Sequence, residues 1–177
     1  SLGVIAGMKL GGGTTGVIRA YNNMITLKSD SANIYGICNS TTVSSVKLYY
    51  NSVAIKGAAY NNSVSGSFIR ESYANSSVTL QNNIFQNERI GPNGKQYVLM
   101  NGNANPNTGW MYSNYNNFYD TNASSSVLWG NSDISFASYA GLSMRDSCSQ
   151  NQFVYFVYPD TGDLHLLPSA SHAALVG

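Results

Sequence analysis

The chain has 177 residues and a formal net charge of +1, and charged residues make up only 10% of it, against about 25% in an average soluble domain. Its nine Lys and Arg make it a poor electrostatic partner for nucleic acid or an anionic membrane, and no stretch reaches the roughly 18 apolar residues of a membrane span. The 25 Ser, 22 Asn and 17 Gly disfavour a helix-rich fold, whereas 13 Tyr favour strands.

Four copies of an eight-residue template recur along the first two thirds of the chain. The template reads apolar, any, apolar or small, any, any, Asn, any, apolar. Its alternation predicts two short strands, each with one buried face, joined by a bend. A further apolar segment predicts one more strand in each interval. In chain order the segments are GVIAGM (3–8), IRAYNNMI (18–25), IYGIC (34–38), VKLYYNSV (46–53), SFIRES (67–72), VTLQNNIF (78–85), YVLM (97–100), YSNYNNFY (112–119) and VLWG (127–130).

The Asn of the template recurs at intervals of 28, 32 and 34 residues, which fits coils with a constant core and variable loops. An inward amide at the bend can hydrogen-bond backbone groups and its copies in neighbouring coils, so four copies predict a ladder. The alternative for any single copy is a turn Asn that only tolerates a left-handed backbone. The predicted ladder consists of Asn23, Asn51, Asn83 and Asn117.

Strands that recur once per coil without an intervening helix predict an all-β parallel β-helix, a solenoid of about four to five coils. Residues 134–146 have the apolar spacing of a short helix, and two strands are expected around a turn from Pro159 to Gly162. Because an open last coil would pair with other chains, we interpret residues 134–177 as an irregular C-terminal cap. Residues 1–133 then form the coils of the same single domain.

The two cysteines are expected to be free and buried. Cys38 and Cys148 are 110 residues apart, which is between three and four coils. They would lie roughly 15–20 Å apart along the solenoid axis. A disulfide allows only about 7 Å between Cα atoms.

The ionisable residues do not converge on a catalytic site in the sequence. His165 and His172, with Asp160 and Asp163 nearby, could bind a metal, but solvated polar residues on a capping strand are the favoured interpretation. The acids are scattered, and Asp120 stands alone. Two of them have a basic neighbour in the sequence and are expected to be solvated or ion-paired, in the pairs Arg70–Glu71 and Glu88–Arg89.

Two outward positions of the template are more suggestive of function. Stacked coils would place a tyrosine stripe beside a polar, partly basic one. Aromatic faces with hydroxyl groups suit sugar rings or a partner surface, although Tyr can also simply cover a sheet. The first stripe comprises Tyr21, Tyr49, Gln81 and Tyr115, and the second comprises Arg19, Lys47, Thr79 and Ser113.

The segments YNNMITL, VTLQNNIFQN, YSNYNNFYD and the closing GDLHLLPSASHAA resemble right-handed parallel β-helix repeats of very large secreted and cell-surface proteins of Bacteroidota-type bacteria. Ala170 stands where such domains often have Pro. The resemblance covers nearly the whole chain and implies an exported protein, in that family often by type IX secretion, with neighbouring domains in the same long chain. It is specific for the fold and not for activity, because this repeat serves adhesins, enzymes and stalks alike.

The opening SLGVIAGMKLGGG lacks the pattern of a signal peptide, so we expect a segment of a longer protein. The leading hypothesis is a non-catalytic segment of a bacterial secreted or cell-surface adhesin-like protein, acting as a rigid stalk or display surface. A polysaccharide or cell-surface glycan would bind at Tyr21, Tyr49 and Tyr115, with Arg19 and Lys47. Neither a metal nor another cofactor is expected. The alternatives are a polysaccharide lyase or glycoside hydrolase of β-helix type, and a purely structural spacer.

Overall fold

The computed structural model describes residues 3–12, 15–42 and 44–168. They form a β-solenoid of about four turns, in which parallel strands stack into three sheets. This confirms the predicted parallel β-helix. In chain order the strands are β1 (Val4–Leu10), β2 (Val17–Tyr21), β3 (Met24–Lys28), β4 (Asn33–Asn39), β5 (Ser45–Tyr49), β6 (Ser52–Lys56), β7 (Ser65–Arg70), β8 (Val78–Gln81), β9 (Ile84–Asn87), β10 (Gln96–Asn101), β11 (Trp110–Asn114), β12 (Asn117–Asp120), β13 (Val127–Trp129), β14 (Ser132–Ile134), β15 (Phe156–Tyr158) and β16 (Asp163–Leu166).

Each coil contributes one strand to each sheet. Coil 1 consists of β1–β3, coil 2 of β4–β6, coil 3 of β7–β9 and coil 4 of β10–β12. The first sheet has the order β1-β4-β7-β10-β13-β14, the second β2-β5-β8-β11 and the third β3-β6-β9-β12. All pairs between coils are parallel, and only β13–β14 and the separate hairpin β15–β16 are antiparallel.

The core lies between the three sheets, where equivalent side chains of successive coils stack on one another. Phe85 and Phe118 stack with ring centroids 5.5 Å apart, and Phe68 lies 6.0 Å from Phe85. Burial of each such side chain contributes about 1.5–3 kcal/mol. Because core side chains of one coil pack on those of the next, the coils depend on one another for stability.

The fourth copy of the template lies one residue earlier than predicted, because Asn114 pairs with Gln81 and Asn117 pairs with Ile84. Trp110 pairs with Val78 and Tyr112 with Thr79, so Met111 is a β-bulge, and it is 63% exposed. The prediction of Asn117 as the fourth ladder residue is wrong, because the register on both sides of the bend places Asn116 beside Asn83.

The ladder runs through all four coils, and its hydrogen bonds all point in the same direction along the solenoid axis. The Nδ2 group of each Asn donates to Oδ1 of the next, at 2.8 Å for Asn23–Asn51, 2.9 Å for Asn51–Asn83 and 3.0 Å for Asn83–Asn116. The backbone N–H of the same donor residue also reaches that oxygen, at 3.2, 3.0 and 2.9 Å. Each coil is thus fixed in register to the next by hydrogen bonds inside the solenoid.

The C-terminal region closes the ladder and the last coil. Asn116 donates from Nδ2 to Asp146 Oδ1 at 3.2 Å and from its backbone N–H to Ser149 Oγ at 2.9 Å. The other carboxylate oxygen of Asp146 accepts the hydroxyl hydrogen of Tyr139, which is fully buried. Tyr139 lies on a helix, α1 (Phe136–Ser143), which is shorter than the predicted 134–146. Its ring contacts Trp129 at 4.9 Å between centroids.

The hairpin β15–β16 lies elsewhere, against the outer face of the third sheet. Phe156, Val154 and Leu164 form a second apolar cluster with Ala54 of β6. Lys56 also reaches Asp160 at 3.4 Å. The region 134–168 thus covers two surfaces, the end of the core and one side of the solenoid.

Two arginines lie inside the solenoid, which corrects the expected solvated or ion-paired placement. Arg70 is 1% exposed and Arg89 is 0% exposed, and among the described residues neither forms an ion pair. The guanidinium of Arg89 donates to Ala32 O at 2.9 Å and Ser63 Oγ at 2.8 Å, and Arg70 donates to a backbone carbonyl. Burial lowers the pKa of both side chains. Both arginines satisfy carbonyls of the corner loops.

Both cysteines are free, but only Cys38 is buried. The prediction of two buried thiols is wrong for Cys148, which is exposed because it lies in the loop after α1 and not in a coil strand. Burial, and then the nearby Glu71, raise the pKa of Cys38 to about 12.

Asp120 occupies a position that suits an amide. Its Oδ1 accepts the backbone N–H of Asn122 at 2.6 Å, as Oδ1 of Asn87 accepts that of Arg89 in the preceding coil. The Nδ2 group of Asn87 donates to two oxygens, whereas Oδ2 of Asp120 is buried without a partner. Burial raises the pKa of Asp120 to about 7.

Replacement of the ladder residue Asn83 by Ala should destabilise the fold by about 3 kcal/mol or more, because its amide makes hydrogen bonds both within the ladder and to the carbonyls of Leu48 and Gln81. Urea denaturation measures the effect. The control Asn93→Ala, in an exposed loop, should stay within about 0.5 kcal/mol of wild type. A loss below about 1 kcal/mol for Asn83→Ala would contradict the structural role of the ladder.

Asp120→Asn should stabilise the protein at pH 8 by about 2–4 kcal/mol. The folded state holds the Asp120 proton up to pH about 7, whereas the unfolded chain loses it near the ordinary aspartate value of 3.8, so wild-type stability should fall as the pH rises between these values. The variant should lack this decline in denaturation curves measured from pH 4 to 8. The control Asp133→Asn should show the opposite sign, because Lys95 lowers the pKa of Asp133 and its ionised form is stabilising.

Candidate functional site

Every coil bends between its second and third strand at a single residue with a left-handed backbone. These residues are Asn22, Tyr50, Asn82 and Tyr115, with φ angles of 56°, 56°, 56° and 57°. Each directly precedes a ladder Asn, so the ladder anchors the bend from inside. Asn adopts this conformation readily, whereas a bulky side chain is disfavoured there by about 1–2 kcal/mol. The two tyrosines are therefore the strained members of the series.

The bend residues line up along the solenoid axis, one per coil. Tyr50 and Tyr115 are two coils apart, or roughly 10 Å, with Asn82 between them. They flank an open cleft with a volume of about 180 Å³. We call it the tyrosine cleft, and its lining residues are Tyr50, Asn82, Asn83, Ile84, Tyr115 and Asn117.

The cleft offers flat aromatic faces and neutral polar groups. Tyr50 is 60% exposed and Tyr115 is 53% exposed, and within the described residues neither hydroxyl has a hydrogen-bond partner. Asn82 likewise has its amide free of partners in that part of the chain. Asn117 is fixed instead, because its amide exchanges hydrogen bonds of 2.7 and 2.9 Å with the backbone of Gln152. The lining includes no carboxylate, ammonium or imidazole, and it offers aromatic faces for stacking and phenol and amide groups for hydrogen bonding.

The structure brings some of the predicted site residues together and separates others. Tyr21 pairs with Tyr49, and Arg19 pairs with Lys47, on neighbouring strands of the second sheet. Tyr21 is well exposed, whereas Tyr49 is half-buried. Tyr115 does not continue this stripe, because it lies one residue beyond the position that pairs with Gln81, at the bend.

The neighbours of Tyr115 also lie one position away from where the sequence predicts them. Asn114 takes the place next to Gln81 in the stripe of Tyr21 and Tyr49. Ser113, which was expected to face outward, is buried against Leu80, and Tyr112 stands beside Thr79 in its place.

Sequence reasoning did not find Tyr50 and Asn82. The bend position could have been found in the sequence, because the residue before each ladder Asn is Asn in two coils and Tyr in coil 2. Had Asn116 been taken as the ladder residue, Tyr115 would have aligned with Tyr50. The doublet Asn116–Asn117 made both alignments possible.

The other candidate residues are the two histidines of the predicted cap and the acids near them. His165 is exposed, and its Nδ1 lies 2.6 Å from Asp163. His172 and Ala170 lie outside the described residues. Within the described ranges no group of three or more His, Cys, Asp or Glu could hold a metal ion. In the same ranges no helix has the length and apolar character of a membrane span.

The chain was compared with models of protein families, with curated proteins and with solved structures, and none of the three comparisons found a match.

Proposed function

We propose that this chain is a non-catalytic β-solenoid segment of a secreted or cell-surface adhesin-like protein of Bacteroidota-type bacteria, and that it holds a glycan in the tyrosine cleft. The observation that carries the proposal is the pair of exposed tyrosines at left-handed bends, Tyr50 and Tyr115, with the amide of Asn82 between them. The solenoid acts as the rigid support on which this cleft is displayed.

The strain at the two tyrosines supports a role in binding. Asn is the favourable residue at this bend, and it occurs there in the other two coils. Tyrosine at the same position lowers stability without adding to the core, because both side chains are more than half exposed. Backbone strain of this kind clusters at ligand sites, where the surrounding structure holds it in place.

The chemistry of the cleft supports a neutral sugar as the ligand. The apolar faces of sugar rings can pack on tyrosine rings, while ring hydroxyls can bond the free phenol and amide groups. The volume of about 180 Å³ is smaller than the roughly 300–1,000 Å³ of pockets for drug-sized ligands, so one ring of a longer chain would be held at a time. The paired Tyr21 and Tyr49, with Arg19 and Lys47, lie on the adjoining sheet and could contact further units.

A glycan array probed with the whole chain and its Tyr50→Asn and Tyr115→Asn variants tests the proposal. Each variant should weaken glycan binding at least tenfold and, at the same time, raise the free energy of unfolding by about 1 kcal/mol, because Asn relieves the strained bend. Loss of binding together with a gain in stability cannot result from unfolding.

Tyr73→Asn is the matched control, because Tyr73 is also about half exposed, at 54%, but lies at a different corner of the solenoid. It should leave binding unchanged. If wild type binds no glycan on the array, or if both cleft variants bind as wild type does, the cleft is not a glycan site and the spacer function remains.

A further inference from the structure

The C-terminal part of the described chain lies along the outside of the solenoid. It begins at the end of the ladder, where Asp146 accepts a hydrogen bond from Asn116. It then crosses the outer face of the third sheet from Asn117 of coil 4 to Ala54 of coil 2, and the hairpin β15–β16 lies within it. We call residues 146–167 the strap.

Two side-chain amides of the solenoid hold the extended backbone of the strap. Asn117 accepts the N–H of Gln152 at 2.9 Å and donates to its carbonyl at 2.7 Å. Gln86, one coil earlier, makes the same two hydrogen bonds with Val154, at 3.0 and 3.2 Å. Because both amides bind main-chain groups, this face of the sheet binds an extended segment through its backbone, as peptide-binding surfaces do.

Apolar contacts add a side-chain requirement to this surface. Val154 and Phe156 are buried in one apolar cluster with Ala54. Tyr155, between them in the chain, is 54% exposed. The outer face of the third sheet therefore fits an extended segment that has apolar side chains at alternate positions. The strap is such a segment, and a second copy of the chain carries the same one.

The connection between α1 and the strap is short, and its backbone is strained. Only Met144 and Arg145 separate the last residue of α1 from the strap. Met144 has a φ angle of 54°, in the left-handed region that is unfavourable for a bulky side chain, and packing offsets little of this strain because the residue is 83% exposed. Segments that follow short, strained hinges are prone to exchange between two copies, because an open hinge loses the strain while the other contacts are kept.

We propose that the strap exchanges between two copies of this chain, so that in a dimer the ladder end and the third sheet of each copy bind the strap of the other. The exchanged dimer keeps the hydrogen bonds and apolar contacts of the strap and removes the strain at both Met144 hinges. The partner's strap also completes the candidate site, because the main chain of the partner's Gln152 holds Asn117 in the lining of the tyrosine cleft. The proposal does not depend on what the cleft binds.

Two substitutions of Met144 test the hinge without changing the contacts of the strap. Gly adopts the left-handed backbone without strain, whereas β-branched Val is a poorer fit than Met. Sedimentation of the whole chain, equilibrated over a range of concentrations, should show a dimer whose association constant falls at least tenfold in Met144→Gly and rises in Met144→Val. A chain that stays monomeric at every concentration, in Met144→Val as in wild type, overturns the proposal, and so does a dimer that is insensitive to both substitutions.

A complementary pair of variants shows whether the dimer exchanges straps. Ala54→Leu enlarges the residue under the strap, and Phe156→Ala shortens a side chain packed in the same cluster. In an exchanged heterodimer the enlarged surface of one chain receives the shortened strap of the other, and the second interface is that of the wild type. Native mass spectrometry of a mixture should therefore find at least tenfold more heterodimer than either homodimer.

Tyr155→Ala is the matched control, because Tyr155 lies in the same strap but is exposed. Its mixture with Ala54→Leu should give no excess of heterodimer. Statistical mixing of homodimers and heterodimers from the complementary pair overturns the proposal in favour of a dimer that forms through another surface while each strap stays on its own chain.

Discussion

The amide ladder is the interaction on which the rest of this solenoid depends. A buried side-chain amide is costly unless its donors and acceptor are paired, and here the Asn–Asn hydrogen bonds join each coil to the next. One register between the coils therefore pairs all the ladder amides. A slip of one residue would leave several buried polar groups without hydrogen-bond partners. The aromatic stack beside it adds apolar energy, but apolar contacts are non-directional and select a register less sharply.

The same constraint shapes the surface. Because the ladder residue must point inward, the residue before it is forced into the left-handed bend and outward into solvent. An additional residue in the fourth coil is accommodated by a bulge at Met111, outside the ladder, so that Asn116 can still reach Asn83. The bulge thereby places Tyr115 in line with Tyr50. The candidate ligand site is a by-product of how the interior keeps its register.

The two ends of the ladder differ in how their hydrogen-bonding groups are paired and in how the adjoining core is covered. At one end Asp146 and Ser149 complete the hydrogen bonds, and aromatic residues of α1 cover the core. At the other end, within the described residues, Oδ1 of Asn23 has no donor, and Ile25 and Leu27 are only partly buried. Ionisable side chains also lie buried inside the coils. Oδ2 of Asp120 is buried without a partner and burial raises the pKa of Asp120 to about 7, and among the described residues neither buried arginine forms an ion pair.

The amino-acid sequence by itself determined the repeat, because strand alternation and a recurring Asn are local patterns that survive variable loops. It predicted the parallel β-helix, nearly all strands and the helix near Phe136. Only the tertiary structure decided which of Asn116 and Asn117 enters the ladder, since the choice depends on hydrogen bonds to the coils on either side. It likewise decided that Cys148 is exposed, that Arg70 and Arg89 are buried, and that β15–β16 packs along the side of the solenoid. These outcomes depend on contacts between segments far apart in the chain, which periodicity does not encode.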